Sequence, residues 1–199
     1  MNHLFPIFLK LEELDTLVVG GGNVGLEKLE ALLKNSPEAS VTLVAGLIRD
    51  EIFELAAEHP NVRLIHRNFI WEDLDHKDVV ILATDNPALH ADIKAEARKR
   101  RILTNVADTP HLCDFYLGST VGKGDLKIGI STNGKSPTLA KRMREFLESA
   151  LPDDVQELLD HLQAYRTQLA GDFQYKLKAL NELTQKVFAN EEISENQKS

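Results

Sequence analysis

Only one cysteine, Cys113, occurs in the 199 residues, which rules out an internal disulfide and a cysteine-rich metal cluster and points to a reducing compartment. Nowhere do about 18 apolar residues run together, so no membrane-spanning helix is expected. The apolar stretch from Leu4 to Leu11 is broken by Pro6 and Lys10 and has no basic leader, which reads as no export signal. Positive charge is in deficit: 23 basic against 31 acidic residues leave a net charge of -8, which argues against a general nucleic-acid or anionic-membrane surface. A cytoplasmic protein with neither nucleic acid nor membrane as partner is the expectation. The histidines show no metal-ligand spacing, and no metal site is expected.

What is present is a glycine run with a context. Gly20-Gly21-Gly22-Asn23-Val24-Gly25 follows the apolar Leu17-Val18-Val19 and opens a helical segment from Asn23 to Lys34 with Gly25, Leu29, Leu32 and Leu33 on one stripe. As G-x-G-x-x-G, Gly20 allows the tight turn, Gly22 lets the backbone approach a pyrophosphate and Gly25 lets helix and strand pack closely. The helix N-terminus then faces the phosphates. Val41-Thr42-Leu43-Val44 completes a βαβ unit. The alternative is a strand-to-helix turn without a ligand. One element is missing: the carboxylate that usually closes the second strand and holds the ribose hydroxyls. The chain reads Val44-Ala45-Gly46-Leu47 there, with Arg49 as the nearest arginine, and the position does not decide between NAD and NADP.

The alternation continues with a helix over about 49–58, a strand over 62–65, a strand over 79–83, a helix over about 88–100 and a strand over 102–106. Such alternation predicts an α/β fold with a Rossmann-type parallel sheet covered on both faces, over residues 1–110. Residues 111–151 change pattern. Phe115 to Val121 and Leu126 to Ser131 read as a hairpin, and Ser136-Pro137 caps a helix running to about Leu151. This small α+β segment is expected to dimerise; packing back on its own Rossmann domain is the alternative. Residues 152–199 form a helical C-terminal region, with one helix carrying Val155, Leu158, Leu159, Leu162, Tyr165 and Leu169. A second carries Phe173, Leu177, Leu180, Val187 and Phe188, followed by a frayed tail over 190–199.

In doubly wound sheets ligands bind beyond the carboxyl ends of the strands. The glycines, Ala45 and Gly46, Thr84-Asp85-Asn86 and Asp108 should therefore converge on one crevice. Asp108 is the candidate general base, with partial burial lifting its pKa toward neutrality; a turn aspartate before Pro110 is the competing reading. Asp85 also reads as a turn and cap residue. His111 stands three residues past Asp108, able to assist proton transfer or to be structural. The turn Ser131-Thr132-Asn133-Gly134-Lys135-Ser136 can hold a ligand carboxylate, or simply cap the next helix.

Phe5-Pro6-Ile7-Phe8, Val18 to Gly25 with Lys28, Ala83-Thr84-Asp85, Asn105-Val106-Ala107-Asp108 and Ile130 to Pro137 together resemble the precorrin-2 dehydrogenase and sirohydrochlorin ferrochelatase family of siroheme synthesis, in its stand-alone form. The resemblance runs in order along nearly the whole chain. It implies a homodimer that uses NAD to oxidise precorrin-2 to sirohydrochlorin, and in many members then inserts ferrous iron as a second substrate. It assigns Asp108 as the catalytic aspartate and Asn23, Val24, Gly46 and Leu47 as NAD contacts, beside Gly20, Gly22, Gly25, Ala45, Thr84 and Asp85 of the crevice. It turns Asn105, His111, Ser131, Thr132, Lys135 and Ser136 toward the tetrapyrrole. Departures are Gly25 where many members have alanine, which the fingerprint permits, Gly118 for a common proline and His90 for a common asparagine. The rival reading is a nucleotide-sensing regulatory module without tetrapyrrole chemistry, which would keep the acidic residue after the second strand.

Overall fold

The computed structural model describes residues 2–171 and 173–189; the expected frayed tail, and the side chains of Phe173, Val187 and Phe188 in the expected stripe, lie outside what is described. Five parallel strands form the main sheet: β1 (Asp15–Gly21), β2 (Ser40–Ile48), β3 (Val62–His66), β4 (Val79–Leu82) and β5 (Leu103–Val106), in the spatial order β3-β2-β1-β4-β5. This is the order of a dinucleotide-binding sheet, reversing direction between β1 and β4. The crossovers are helices α1 (Asn23–Asn35), α2 (Asp50–Glu58) and α3 (Pro87–Arg100).

Strand alternation assigns the two faces. Val18, Val41, Leu43, Val79 and Ile81 pack with Leu29, Leu32 and Leu33 of α1 and Ile52 of α2. Leu17, Val19, Val44, Val80 and Leu82 point the other way, onto Ile93 and Ala97 of α3 and onto Leu74. A fully buried leucine or isoleucine contributes roughly 1.5–3 kcal/mol, so each face is a core in its own right. The sheet is thus covered on both sides, as a parallel sheet must be.

The element order follows the sequence reading, and three strands depart from it by two residues or more. β1 continues through Gly20 and Gly21. The first hairpin strand begins at Ser119, four residues after the expected start at Phe115. β2 runs four residues beyond Val44, because its pairing with β1 is interrupted: Val19 faces Val44, then Gly21 faces Ile48. Gly20 of β1 therefore stands opposite three residues of β2, 45–47, which leave the ladder with β1 while Ala45 stays paired with His66 of β3. Ala45-Gly46 looked like a strand terminus because the apolar run stops there, whereas it is a bulge within a longer strand.

The outer edge of β5 is closed by the chain itself. The Asp114 N–H donates to the Thr104 carbonyl at 2.8 Å, and the Thr104 N–H donates to Asp114 Oδ2 at 2.9 Å. One step along, the Val106 N–H donates to Cys113 Sγ, which donates back to the Val106 carbonyl, both at 3.2 Å. Lys94 of α3 also pairs with Asp114 Oδ2 at 2.5 Å.

The chain separates into two compact units: residues up to Thr120 together with Gly129–Arg144, and Val121–Ile128 together with the chain from Glu145. The hairpin β6 (Ser119–Lys123) and β7 (Leu126–Ile130) and the helix α4 (Pro137–Ala150) contribute to both. Within the second unit, Gln156 near the start of α5 (Val155–Gln168) accepts the Asp125 N–H at 2.7 Å and donates to Asp125 Oδ2 at 3.1 Å, clamping the hairpin turn. Helix α6 (Phe173–Ala189) follows Gly171, whose φ of +134° suits glycine.

Two glycines allow the first crossover. Gly20 has φ +118°, and a Cβ there would lie 2.5 Å from the Ala83 carbonyl oxygen; a Cβ on Gly25 would lie 2.1 Å from the Gly20 carbonyl oxygen. Alanine at position 25, which the fingerprint permits in general, does not fit this backbone without a shift of α1 on β1. Gly25→Ala is expected to lose about 1–3 kcal/mol of stability, measured by urea denaturation; unchanged stability would show that α1 moves freely.

Candidate functional site

The crevice forms where the sheet order reverses. Gly20 abuts Ala83 and the Thr84 backbone nitrogen, so the carboxyl ends of β1 and β4 meet there, as the strand-end positions predicted. The N-terminus of α1 completes this wall. Gly22 occupies its cap position with no side-chain cap, and no acidic residue stands in its first turn, so the amide donors of Asn23, Val24 and Gly25 have no internal anion. A Cβ on Gly22 would meet no protein atom within 4 Å. These features fit a dinucleotide: open space over a glycine turn, and a helix end able to face a pyrophosphate.

The β2 bulge supplies a second wall. A Cβ on Gly21 would lie 2.5 Å from the Leu47 carbonyl oxygen and 3.0 Å from Ala45 Cβ, so residues 45–47 lie directly against the glycine loop. Ala45 is buried, Gly46 is exposed, and Leu47 is 86% exposed beside them. His66 Nε2 lies 3.1 Å from the Gly46 carbonyl oxygen and steadies the bulge. An apolar side chain held out at a strand end suits a nucleoside ring or sugar face. The sequence reading placed Ala45, Gly46 and Leu47 beside the glycines, and the bulge is the device that brings them there.

At the end of β4, Asp85 is exposed, and the cap of α3 is Asn86, whose Oδ1 accepts the Leu89 N–H at 3.1 Å. The capping role read at Asp85 thus belongs to its neighbour. Thr84 Oγ1 is hydrogen-bonded to His90 Nε2 at 2.8 Å and accepts the Asn86 N–H at 3.3 Å. His90 is 4% exposed; burial pushes its pKa down and the charge of Asp85 opposes this. The sequence flagged His90 only as a departure from its family, because nothing in its spacing shows that it faces Thr84.

Asp108 follows β5 in a left-handed conformation, φ +54°. Its loop is pinned at both sides, by the Ala107 N–H to the Leu82 carbonyl at 3.0 Å and by Thr109 Oγ1 to the Ala107 carbonyl at 3.1 Å. The partial burial expected of Asp108 is not found: the side chain is exposed. A carboxylate presented to solvent on a fixed loop is open to an approaching ligand. His111 is exposed in a single 3-10 turn just beyond.

The expected tetrapyrrole residues divide. Asn105 is buried, and its Nδ2 donates to the Phe115 carbonyl at 2.9 Å, so its amide group holds the segment covering β5. In the 131–136 turn the Asn133 N–H donates to Ser131 Oγ at 3.2 Å, and the Ser136 N–H donates to Thr132 Oγ1 at 3.1 Å. Ser136 Oγ accepts the Leu139 N–H at 3.1 Å. These three hydroxyls shape the turn and cap α4, while the Lys135 side chain is exposed. Among the described residues, no group of three or more His, Cys, Asp or Glu side chains is arranged to hold a metal ion.

Because burial depresses the pKa of His90, the folded protein favours its neutral form. Its contribution is present above the ordinary histidine pKa of 6.5 and is lost as pH falls through the depressed value. The fall in Tm between about pH 7.5 and about pH 5 should therefore be smaller in His90→Asn than in the parent protein, as read by calorimetry; equal falls would remove His90 from the acid response.

Residues 7–119 match the family described as "Putative NAD(P)-binding", and residues 123–150 match "Sirohaem biosynthesis protein central". The chain is 38% identical over 175 residues to a siroheme synthase of Psychrobacter cryohalolentis, covering 88% of this chain and 31% of the relative. It is 34% identical over 182 residues to siroheme synthase 1 of Serratia proteamaculans, covering 92% of this chain and 37% of that one. It thus spans about a third of the length of these relatives. Among solved structures it resembles SirC, a precorrin-2 dehydrogenase, with a TM-score of 0.71 at 25% identity, covering 90% of this chain and 89% of that one. With more than half its length matched, the chain belongs to the NAD(P)-binding family, and the sirohaem biosynthesis central segment follows it in sequence.

Proposed function

We propose that the chain is an NAD-dependent dehydrogenase that oxidises precorrin-2 to sirohydrochlorin in siroheme biosynthesis. The observation that carries this reading is the likeness to a precorrin-2 dehydrogenase along nine-tenths of both chains. It is supported by the close approach of Gly20 to Thr84, and of Gly21 to the β2 bulge, at the carboxyl ends of the strands.

Bound NAD supplies the hydride acceptor. In this reading the first turn of α1 would hold the pyrophosphate, Ala45 to Leu47 the adenosine end, and Thr84 and Asp85 the nicotinamide end. The tetrapyrrole lies over the Asp108 loop, with Lys135 as the cation for one of its carboxylates. The balance is simple: a C–H bond of the macrocycle breaks, its electron pair leaves as hydride, and a proton leaves the ring for Asp108 and then solvent. The substrate covers Asp108 and removes water from it as the complex forms. Where ferrous iron is subsequently inserted, it enters as substrate, and the same carboxylate takes the pyrrole protons. A cytoplasmic site of action suits the single cysteine. No described helix is long and apolar enough to cross a membrane.

Two copies associate in this proposal. Leu139, Met143 and Phe146 follow one another at helical spacing on α4 and are 54%, 42% and 62% exposed. Such a stripe is the surface a two-fold partner covers. Met143→Asp with Phe146→Asp should convert a dimer to a monomer in sedimentation equilibrium at about micromolar concentration; an unchanged mass in the variant, or a monomeric parent protein, counts against this interface.

Purified protein given precorrin-2 and NAD should generate NADH absorbance, and Asp108→Asn should lower the rate by about 10²–10⁴-fold with an unchanged Tm. Full activity in that variant removes Asp108 as the base. Binding of the nucleotide without the tetrapyrrole would favour the sensing module instead.

A further inference from the structure

In dinucleotide-binding sheets the end of the second strand separates two cofactors. A carboxylate there holds the free ribose hydroxyls, and an arginine nearby accommodates a 2′-phosphate. This chain has one of each, within three residues.

Arg49 directly follows β2, and its backbone N–H donates to the Gly21 carbonyl at 3.0 Å, which fixes it beside the glycine loop. Its guanidinium donates to both oxygens of Glu51, from Nε at 3.1 Å and from Nη2 at 2.5 Å. The remaining branch, Nη1, donates to Oδ1 of Asn23, the first residue of α1. The planar fork is thus engaged on both edges by groups of the protein. The Glu51 hydrogen bond raises the Arg49 pKa, and the Arg49 hydrogen bond lowers that of Glu51. Both therefore stay charged across the working range.

The surroundings count against a second anion. Ile48, Arg49, Asp50, Glu51 and Glu54 line an open cleft of about 590 Å³, so one cation and three carboxylates share its lining. Asp50 and Glu51 stand in the first turn of α2, where they already answer the positive end of that helix. A 2′-phosphate would bring roughly two further negative charges to this place, whereas a hydroxyl brings none and can donate to a carboxylate.

We propose that the Arg49–Glu51 pair makes this site select NAD over NADP. Glu51 supplies, from the first turn of α2, the carboxylate that β2 lacks at its own end, and it keeps Arg49 from a 2′-phosphate. The proposal deepens the dehydrogenase reading and rests on its dinucleotide site.

The test is binding, read by isothermal titration calorimetry of the full chain with NAD and with NADP, separately. The parent protein should bind NAD at least about tenfold more tightly. Glu51→Gln, which keeps the side-chain volume, should narrow that ratio by about tenfold through weaker NAD and tighter NADP binding, and adding Arg49→Ala should abolish the gain in NADP binding. A tenfold change corresponds to about 1.4 kcal/mol. NAD binding with an unaltered ratio in Glu51→Gln overturns the proposal alone, as does a parent protein that prefers NADP. Binding of neither nucleotide overturns the dinucleotide reading, and this inference with it.

Discussion

Everything in the crevice depends on a contact in which two side chains are missing. The Gly20 carbonyl oxygen occupies the place where a Cβ of Gly25 would be, and the Cβ that Gly20 lacks would strike the Ala83 carbonyl. Helix α1, strand β1 and strand β4 are therefore nearer than side chains would allow. That closeness carries the start of α1 to the carboxyl end of the sheet, sets Thr84 beside the glycine turn, and leaves Gly22 facing open space. With ordinary residues at these two points the three elements could still pack, but the crevice between them would widen and lose its floor.

The fold was legible because its signals are local. Leu17-Val18-Val19 and Val79-Val80-Ile81-Leu82 are continuous apolar runs, as strands buried on both faces are. A helix start announced itself at Ser136-Pro137, whereas the cap of α3 was read one residue early, at Asp85 rather than Asn86. The β2 bulge was illegible, since Ala45-Gly46 resembles a strand end and the register that extends β2 belongs to the pairing with β1. The exposure of Asp108 was illegible for a similar reason: apolar neighbours in sequence do not reveal a left-handed turn that lifts the side chain away from them.

The site reading divides along the same line. Strand-end residues were located by topology, so the glycines, Thr84 and Asp85 lie where the alternation put them. Partnerships between side chains were not. His90 meets Thr84 through one turn of α3, and Glu51 meets Arg49 across the start of α2. The family resemblance turned Asn105 toward the substrate, but strand alternation turns it inward to hold Phe115. Hydroxyls of the 131–136 turn serve the turn first, which leaves charge, at Lys135, as its outward chemistry.

The strap of Cys113 and Asp114 along β5 has a consequence for the sheet as a whole. The outward N–H groups of Thr104 and Val106 are answered by a carboxylate and a thiol of the same chain. An unpaired strand edge is a template on which another chain can polymerise. Here the template is used up internally, so the sheet ends at five strands and that flank offers nothing for a foreign strand to extend. The lone thiol thus takes the place of a neighbouring strand's backbone at Val106.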